Sequence, residues 1–288
     1  MKAIYKRELS SYFNSMIGWV FIAVSTVFIG IYFMVYNLFS GKPYFSDALS
    51  ATLFVFMLTI PLLTMRSMAE ERRTRTDQLL LSAPVSIPAV ILGKYFALLT
   101  VFLIPTALSC LCPLIIKLNG TAFLRADYAT IFAFFLLGAL EIAIGLLISS
   151  LTESQILAAV GTFCALLLLF LWDGLVHYLP TSRRGSLIGL LLLLALLCYL
   201  LAALSSNRKL AWGAGAAGAA AAAAFYLKVP AKFENLLPNV LGKFSPLGAF
   251  DAFASDHVFD LRGLLLYLSL TVLMLFLTDQ VVQKRRWN

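Results

Sequence analysis

Long apolar runs, each about the length of a membrane span, follow one another through nearly the whole chain. A spanning helix takes about 20 mostly apolar residues. Such runs occupy 16–37, 48–65, 95–116, 128–150, 156–176, 187–204, 210–227 and 263–281. They are continuous, whereas the strands of a membrane barrel alternate apolar and polar residues. Within lipid, only helices and closed barrels satisfy their own backbone groups. The predicted fold is therefore an all-α polytopic membrane protein of about eight transmembrane helices. Composition agrees, with 61% of the 288 residues apolar and 12% charged, against about 25% charged in soluble domains. That balance excludes an ordinary soluble enzyme, a disordered chain and a secreted disulfide scaffold. Cys110, Cys112, Cys164 and Cys198 all lie inside apolar runs and read as small buried hydrophobes. No cleavable signal peptide is visible at the start, which makes the first span the insertion signal.

The seventh run is the weakest, because Ala and Gly are only marginally lipophilic. Its small residues, such as Gly213 with Ala217, let a neighbouring helix approach closely. It is read as a packed span paired with the sixth run, the two forming a hairpin, 187–227. The net charge of +8 fits cytoplasmic loops rich in Lys and Arg. No nucleic-acid partner is expected, since no soluble segment is long enough for such a fold. With the N-terminus inside, the inner segments hold 13 of the 22 Lys and Arg residues and the outer segments 9. The bias is clearest at Lys2, Lys6 and Arg7, at Arg66, Arg72, Arg73 and Arg75, and at Lys284–Arg286; Arg183 and Arg184 run against it. Both termini are expected to be cytoplasmic.

Three segments lie outside the spans. Residues 1–15 place Met1, Ile4, Tyr5, Leu9, Tyr12 and Phe13 on one helical face and Lys2, Lys6, Arg7, Ser10, Ser11 and Asn14 on the other. That pattern predicts an interfacial amphipathic helix; the plainer reading is a basic leader that marks topology. In the first inner loop, 66–86, Glu70, Glu71, Arg72, Arg73, Thr74, Arg75, Thr76 and Asp77 precede Leu79, Leu80 and Leu81, and Pro84 and Pro88 follow. The spacing predicts a short helix over 68–81, stopped by proline, whose mixed charge suits docking to a soluble partner. The plainer reading is a solvated charged loop that fixes topology. Residues 228–262 repeat Phe233, Leu236, Leu237, Val240, Leu241 and Phe244, then Leu247, Phe250 and Phe253. Here two short outer helices capping a pathway and a loop resting on lipid headgroups stand as equal readings.

Signatures of catalytic chemistry are few. No phosphate-binding G-x-x-x-x-G-K-[ST] loop, H-E-x-x-H or G-x-S-x-G occurs. Asp173 and His177 stand one helical turn apart, which suits an interfacial hydrogen bond better than a metal. Glu141 lies mid-span in LLGALEIAIGLL. An intramembrane carboxylate is costly and faces a partner or a water cavity, so Glu141 marks either a transport path or moving interface, or a structural hydrogen bond. Pro61, Pro105 and Pro113 interrupt the second and third spans and permit kinks or fixed bends there.

Several of these residues also carry a resemblance. Tyr5-Lys6-Arg7-Glu8-Leu9 with Tyr12-Phe13 opens the chain. Ala69-Glu70-Glu71-Arg72-Arg73-Thr74-Arg75-Thr76-Asp77-Gln78-Leu79-Leu80-Leu81 is followed by Ala83-Pro84-Val85-Ser86 and Leu92-Gly93-Lys94. Ser245-Pro246, Phe250, Phe253, Asp260-Leu261-Arg262 and the terminal Lys284-Arg285-Arg286-Trp287 complete the set. Together they resemble the permeases of the ABC type-2 transporter family, on the branch that includes the gliding-motility permeases. The resemblance implies a multi-pass subunit of the cell (plasma) membrane, in prokaryotes the inner membrane. Its partners would be a separate ATP-binding cassette ATPase, a second permease chain (the same or different) and the lipid bilayer. ATP and magnesium would sit on the ATPase, with no cofactor or metal on this chain, and export is the expected direction. By resemblance, Glu70, Glu71, Arg72, Arg73, Thr76, Asp77, Leu79 and Leu80 form the ATPase-coupling element. At Arg75 the branch more often has glycine, and the hairpin 187–227 is an addition to a six-span core. The competing readings are a proton- or ion-coupled carrier using Glu141 and an intramembrane enzyme; the first wants an internal repeat, the second at least two convergent catalytic groups.

Overall fold

The structure, a computed structural model, describes residues 1–76, 85–204 and 234–286. In chain order its helices are α1 (Lys2–Asn14), α2 (Met16–Phe33), α3 (Ser46–Thr64), α4 (Arg66–Arg73), α5 (Ile87–Ser109), α6 (Leu111–Asn119) and α7 (Leu124–Leu151). There follow α8 (Gln155–Phe170), α9 (Trp172–His177), α10 (Arg183–Leu204), α11 (Leu236–Gly242), α12 (Pro246–Ala254) and α13 (Leu261–Arg286). They fall into two compact units, Met1–Leu169 with Pro246–Asn288, and Phe170–Ser245.

Among the described residues, five helical stretches are long and apolar enough to cross a membrane: Met16–Phe39, Ser46–Arg73, Ile87–Asn119, Leu124–Leu151 and Leu261–Lys284. They match the first four predicted runs and the last. The other three expected runs are not found as spans among the described residues. The run 156–176 is divided by a turn at Leu171 into the 16-residue α8 and the short α9, and 187–204 lies within α10. The run 210–227 lies outside the described residues.

In the first unit, α3 and α7 form the axis. Two-thirds of the spanning window of each is buried, against 33% for α2, 39% for α5 and 28% for α13. The peripheral helices turn Trp19, Phe28, Leu103, Val272 and Phe276 outward, as lipid-facing surfaces require. At the centre, Phe56 of α3 meets Phe102 of α5 and Phe134 of α7 edge-on, with ring centroids 5.4 and 5.1 Å apart. The axis helices approach closely at Gly145, where an added Cβ would collide with the Thr64 side chain. Glycine is required there because any side chain would collide.

Local chemistry sets the ends of these helices. The first span closes in a π-helical turn, Met34–Phe39, whose buried Asn37 donates to the carbonyls of Lys42 and Tyr44 at 2.9 and 2.8 Å. α5 starts with Pro88 in its first turn, where a missing N–H leaves no bond unmade. α5 and α6 part at Cys110, three residues before Pro113, which has no N–H to continue the ladder back to Ser109. Of the two short helices predicted in 228–262, both are present as α11 and α12. α12 is buried: Phe250 and Phe253 are 0% and 1% exposed, Thr130 donates to the Phe253 carbonyl at 3.1 Å, and Tyr267 donates to that of Pro246 at 2.8 Å. Its buried face therefore packs on α7 and α13.

In the second unit, α11 packs against α9 and α10. The Trp172 indole donates to the Leu241 carbonyl at 3.0 Å, and Arg183 pairs with Glu234 at 3.1 Å. Asp173, expected to face His177, instead accepts a hydrogen bond from the Ser245 hydroxyl at 2.6 Å.

Candidate functional site

The alternating spans of the first unit gather α1, α4, the start of α5 and the end of α7 on one face. The predicted helix 68–81 takes a different form there. α4 begins earlier, at Arg66, and is nearly a continuation of α3: only Met65 separates them, and its N–H still bonds the Pro61 carbonyl at 2.9 Å. α4 also ends earlier, at Arg73. Arg75 adopts a left-handed conformation (φ 57°), the Thr76 N–H reaches back to the Glu71 carbonyl at 2.9 Å, and the Arg75 N–H to that of Arg72 at 3.1 Å. This pair of bonds is the Schellman termination, which needs one left-handed residue and most readily takes glycine. The helix-favouring sequence around it is overridden by that turn. Asp77, Leu79 and Leu80 lie outside the described residues.

α4 is held from three sides. From α7, the Ser149 hydroxyl accepts the N–H groups of Met68 and Ala69, both at 3.1 Å, and donates to the Met65 carbonyl at 3.1 Å. One side chain thus closes the break between α3 and α4. The Arg72 guanidinium donates to the Ser150 carbonyl at 2.8 Å, and Glu153 stands 3.4 Å away. From α5, Lys94 is 1% exposed; its ammonium donates to the Ser67 carbonyl at 2.7 Å and pairs with Glu71 at 3.0 Å and Glu8 at 3.3 Å. From α1, Arg7 pairs with Glu8 at 2.6 Å and with Glu71 at 2.5 Å. Two cations and two carboxylates therefore meet in one partly buried cluster, the arrangement in which buried charges offset one another's desolvation. Burial alone would lower the Arg7 pKa, but Glu8 and Glu71 outweigh it and hold the guanidinium charged. Beside the cluster, Arg66 pairs with Glu70 at 3.3 Å, donates to Ser11 and Ser15, and lies 5.3 Å from the centre of the Tyr12 ring. Burial, then the charge of Glu8, pushes the Tyr12 hydroxyl well above its usual range. A cavity of about 300 Å³ opens between α1 and α4, with Ser11, Glu70, Thr74 and Lys94 in its wall.

The coupling residues read from the sequence thus divide. Glu71 and Arg72 turn into the molecule, Glu70 pairs along its own helix, and Arg73 and Thr76 are exposed. Glu8, Lys94 and Ser149 escaped the sequence reading of this site. For Glu8 a signal existed: it lies at i+4 from Ile4 and i−4 from Tyr12, on the buried side of an amphipathic helix. The helix expected over residues 1–15 is present as α1, packed on α5 where a Cβ at Gly93 would stand 3.1 Å from Ile4.

Glu141 sits apart, mid-way along α7. Every residue from Ala139 to Leu146 is buried, so protein surrounds it on all sides of the helix. No side chain among the described residues hydrogen-bonds it; Tyr267 of α13 lies within electrostatic range. Among the described residues, no group of three or more His, Cys, Asp or Glu side chains could hold a metal ion.

Residues 37–176 match a family model described as ABC-2 family transporter protein. The matched stretch contains α3 to α8, hence α4, Lys94, Glu141 and Ser149, but not α1. No curated protein matches the chain.

Proposed function

From the match of residues 37–176 to the ABC-2 family of transporter proteins, we propose that this chain is a member of that family, which works with an ATP-binding cassette ATPase, and is the permease subunit of an exporter in a prokaryotic inner membrane. It pairs with a second permease chain and carries its substrate through alternating exposure of a pathway between the two. ATP binding closes the partner ATPase subunits, and α4 passes that movement into the membrane.

The observation that carries this reading is the division of α4 into two sides. Its tip, Arg73 to Thr76, is exposed, while Glu71 and Arg72 are tied to α1, α5 and α7. A force on the tip acts on α3 directly, through the near-continuous backbone at Met65, and on α7 through Ser149. These are the two axis helices, so a tilt of α4 shifts the core against α2, α5 and α13. The exposed tip supplies cations for a partner's acidic groove, and the leucines Leu79 and Leu80 with Asp77 complete the docking segment.

Orientation follows from charge. In the first unit, Lys2, Lys6, Arg7, Arg66, Arg72, Arg73, Arg75, Lys94 and Lys284–Arg286 gather at the α4 face, and Lys42, Lys117, Arg125 and Arg262 at the other. That asymmetry is sharper than the count over the whole chain and supports a cytoplasmic α4 face. A cysteine at Thr74, in a cysteine-free background, should be labelled by an impermeant thiol reagent only in opened cells. The ATPase should copurify with the chain and hydrolyse ATP faster in its presence. Labelling of intact cells, or an ATPase indifferent to the chain, would defeat the reading.

A further inference from the structure

We infer that the face opposite α4 holds a binding pocket for an anionic phospholipid. Three separate connections converge there. The Tyr44 ring, from the segment before α3, is sandwiched between Phe123 at the N-cap of α7 (centroids 4.6 Å apart, 12° between planes) and His257 from the α12–α13 connection (3.8 Å, 14°). Beside this stack lies a cavity of about 730 Å³, whose wall includes Lys117, Arg125, Ala126 and Phe259. The inference is independent of the transport reading and of α4.

The chemistry of the wall selects an anion with an apolar body. α7 begins at the cavity without a side-chain cap. Its first N–H groups have no intrahelical acceptor, and the positive end of its dipole lies there. Such an end receives phosphate readily. Lys117 and Arg125 add two full cations. Against them stands Asp127, fully buried, whose Oδ1 accepts the Phe45 N–H at 2.9 Å. Asp127 lies in the first turn of α7, so its charge offsets part of the positive helix end, and the two cations of the wall stand against that one carboxylate. His257 lies within electrostatic range of Asp127, and its buried Nδ1 has no hydrogen-bond partner among the described residues. His257 also has a left-handed backbone, φ 54°.

The surroundings select a lipid over a free anion. Leu118, Val258, Phe259 and Leu261, flanking the cavity in sequence, are 86%, 58%, 60% and 63% exposed. So many bare apolar side chains at a polar end of the bundle fit the boundary between headgroups and acyl chains. A headgroup phosphate near Lys117 and Arg125 leaves the glycerol and upper acyl chain against Phe123 and Phe259. A soluble anion would use the cations and leave those walls in water.

The test uses the full chain in phosphatidylcholine vesicles containing a photoactivatable phosphatidylglycerol. Crosslinks should map to 117–129 and 257–259, and should exceed those from a photoactivatable phosphatidylcholine. The double substitution Lys117→Gln with Arg125→Gln, at exposed positions, should lower labelling about five- to tenfold, as loss of two screened charge contacts predicts. Lys117→Arg with Arg125→Lys should retain it, and Arg262→Gln, on the same face but outside the cavity, should leave it unchanged. Equal labelling by the two lipids, or full labelling of the double Gln variant, would overturn the proposal. Competition by millimolar inorganic phosphate alone would also overturn it, since the site would then be one for a free anion.

Discussion

Lys94 is the residue on which the charged junction turns. It is a lysine in a buried position with two carboxylates, Glu8 and Glu71, held against it. Lys94→Met leaves both acids with Arg7 alone, and breaking a buried ion pair in this way costs about 3–5 kcal/mol. Thermal unfolding of the detergent-solubilised variant should show a lowered midpoint; an unchanged midpoint would mean the cluster is solvated and weak. Arg75 makes an opposite case. It pays a steric penalty for its left-handed backbone, and Arg75→Gly should stabilise the turn by about 1 kcal/mol, read as a small rise in the same midpoint. The departure from glycine that the resemblance marks at this position falls on the left-handed residue of the Schellman turn. Lys94 was less legible. Its partners are 23 and 86 positions away in the chain, and no local spacing joins α1, α4 and α5.

At the scale of elements, the apolar runs gave the spans well because lipid imposes a length that periodicity cannot disguise. Their junctions were harder. A break at Met65, closed by a serine from α7, leaves no mark in composition, so the reading started α4 too late. The end at Arg73 was hidden because a left-handed arginine resembles any other helix former. Glu141 belongs at this scale too, since it sits where α7 meets α13, the most extensively packed helix pair in the unit. If that interface moves during transport, Glu141→Gln should lower transport while the amount of folded protein in the membrane stays the same. Gln keeps hydrogen bonding but removes the charge. Wild-type transport in that variant would make Glu141 a structural acid only.

For the whole molecule, the central claim is that a soluble ATPase grips the tip of α4 and that the ion cluster behind it carries the motion inward. Reversing Glu70 and Glu71 together tests this poorly, because Glu71 faces Arg7 and Lys94 and its reversal would disrupt the fold. Arg73 and Arg75 are exposed and offer a cleaner test. One rim charge commonly contributes less than about 1 kcal/mol, so both should be changed, as Arg73→Glu with Arg75→Glu. Like charges set against a complementary partner surface cost several kcal/mol in docking. The decisive measurement is chain-dependent stimulation of ATP hydrolysis, taken with copurification of the ATPase from the same membranes. The account predicts that the double reversal inserts and folds at wild-type levels, yet loses both the bound ATPase and the stimulation. Wild-type copurification and wild-type stimulation in that variant would contradict it.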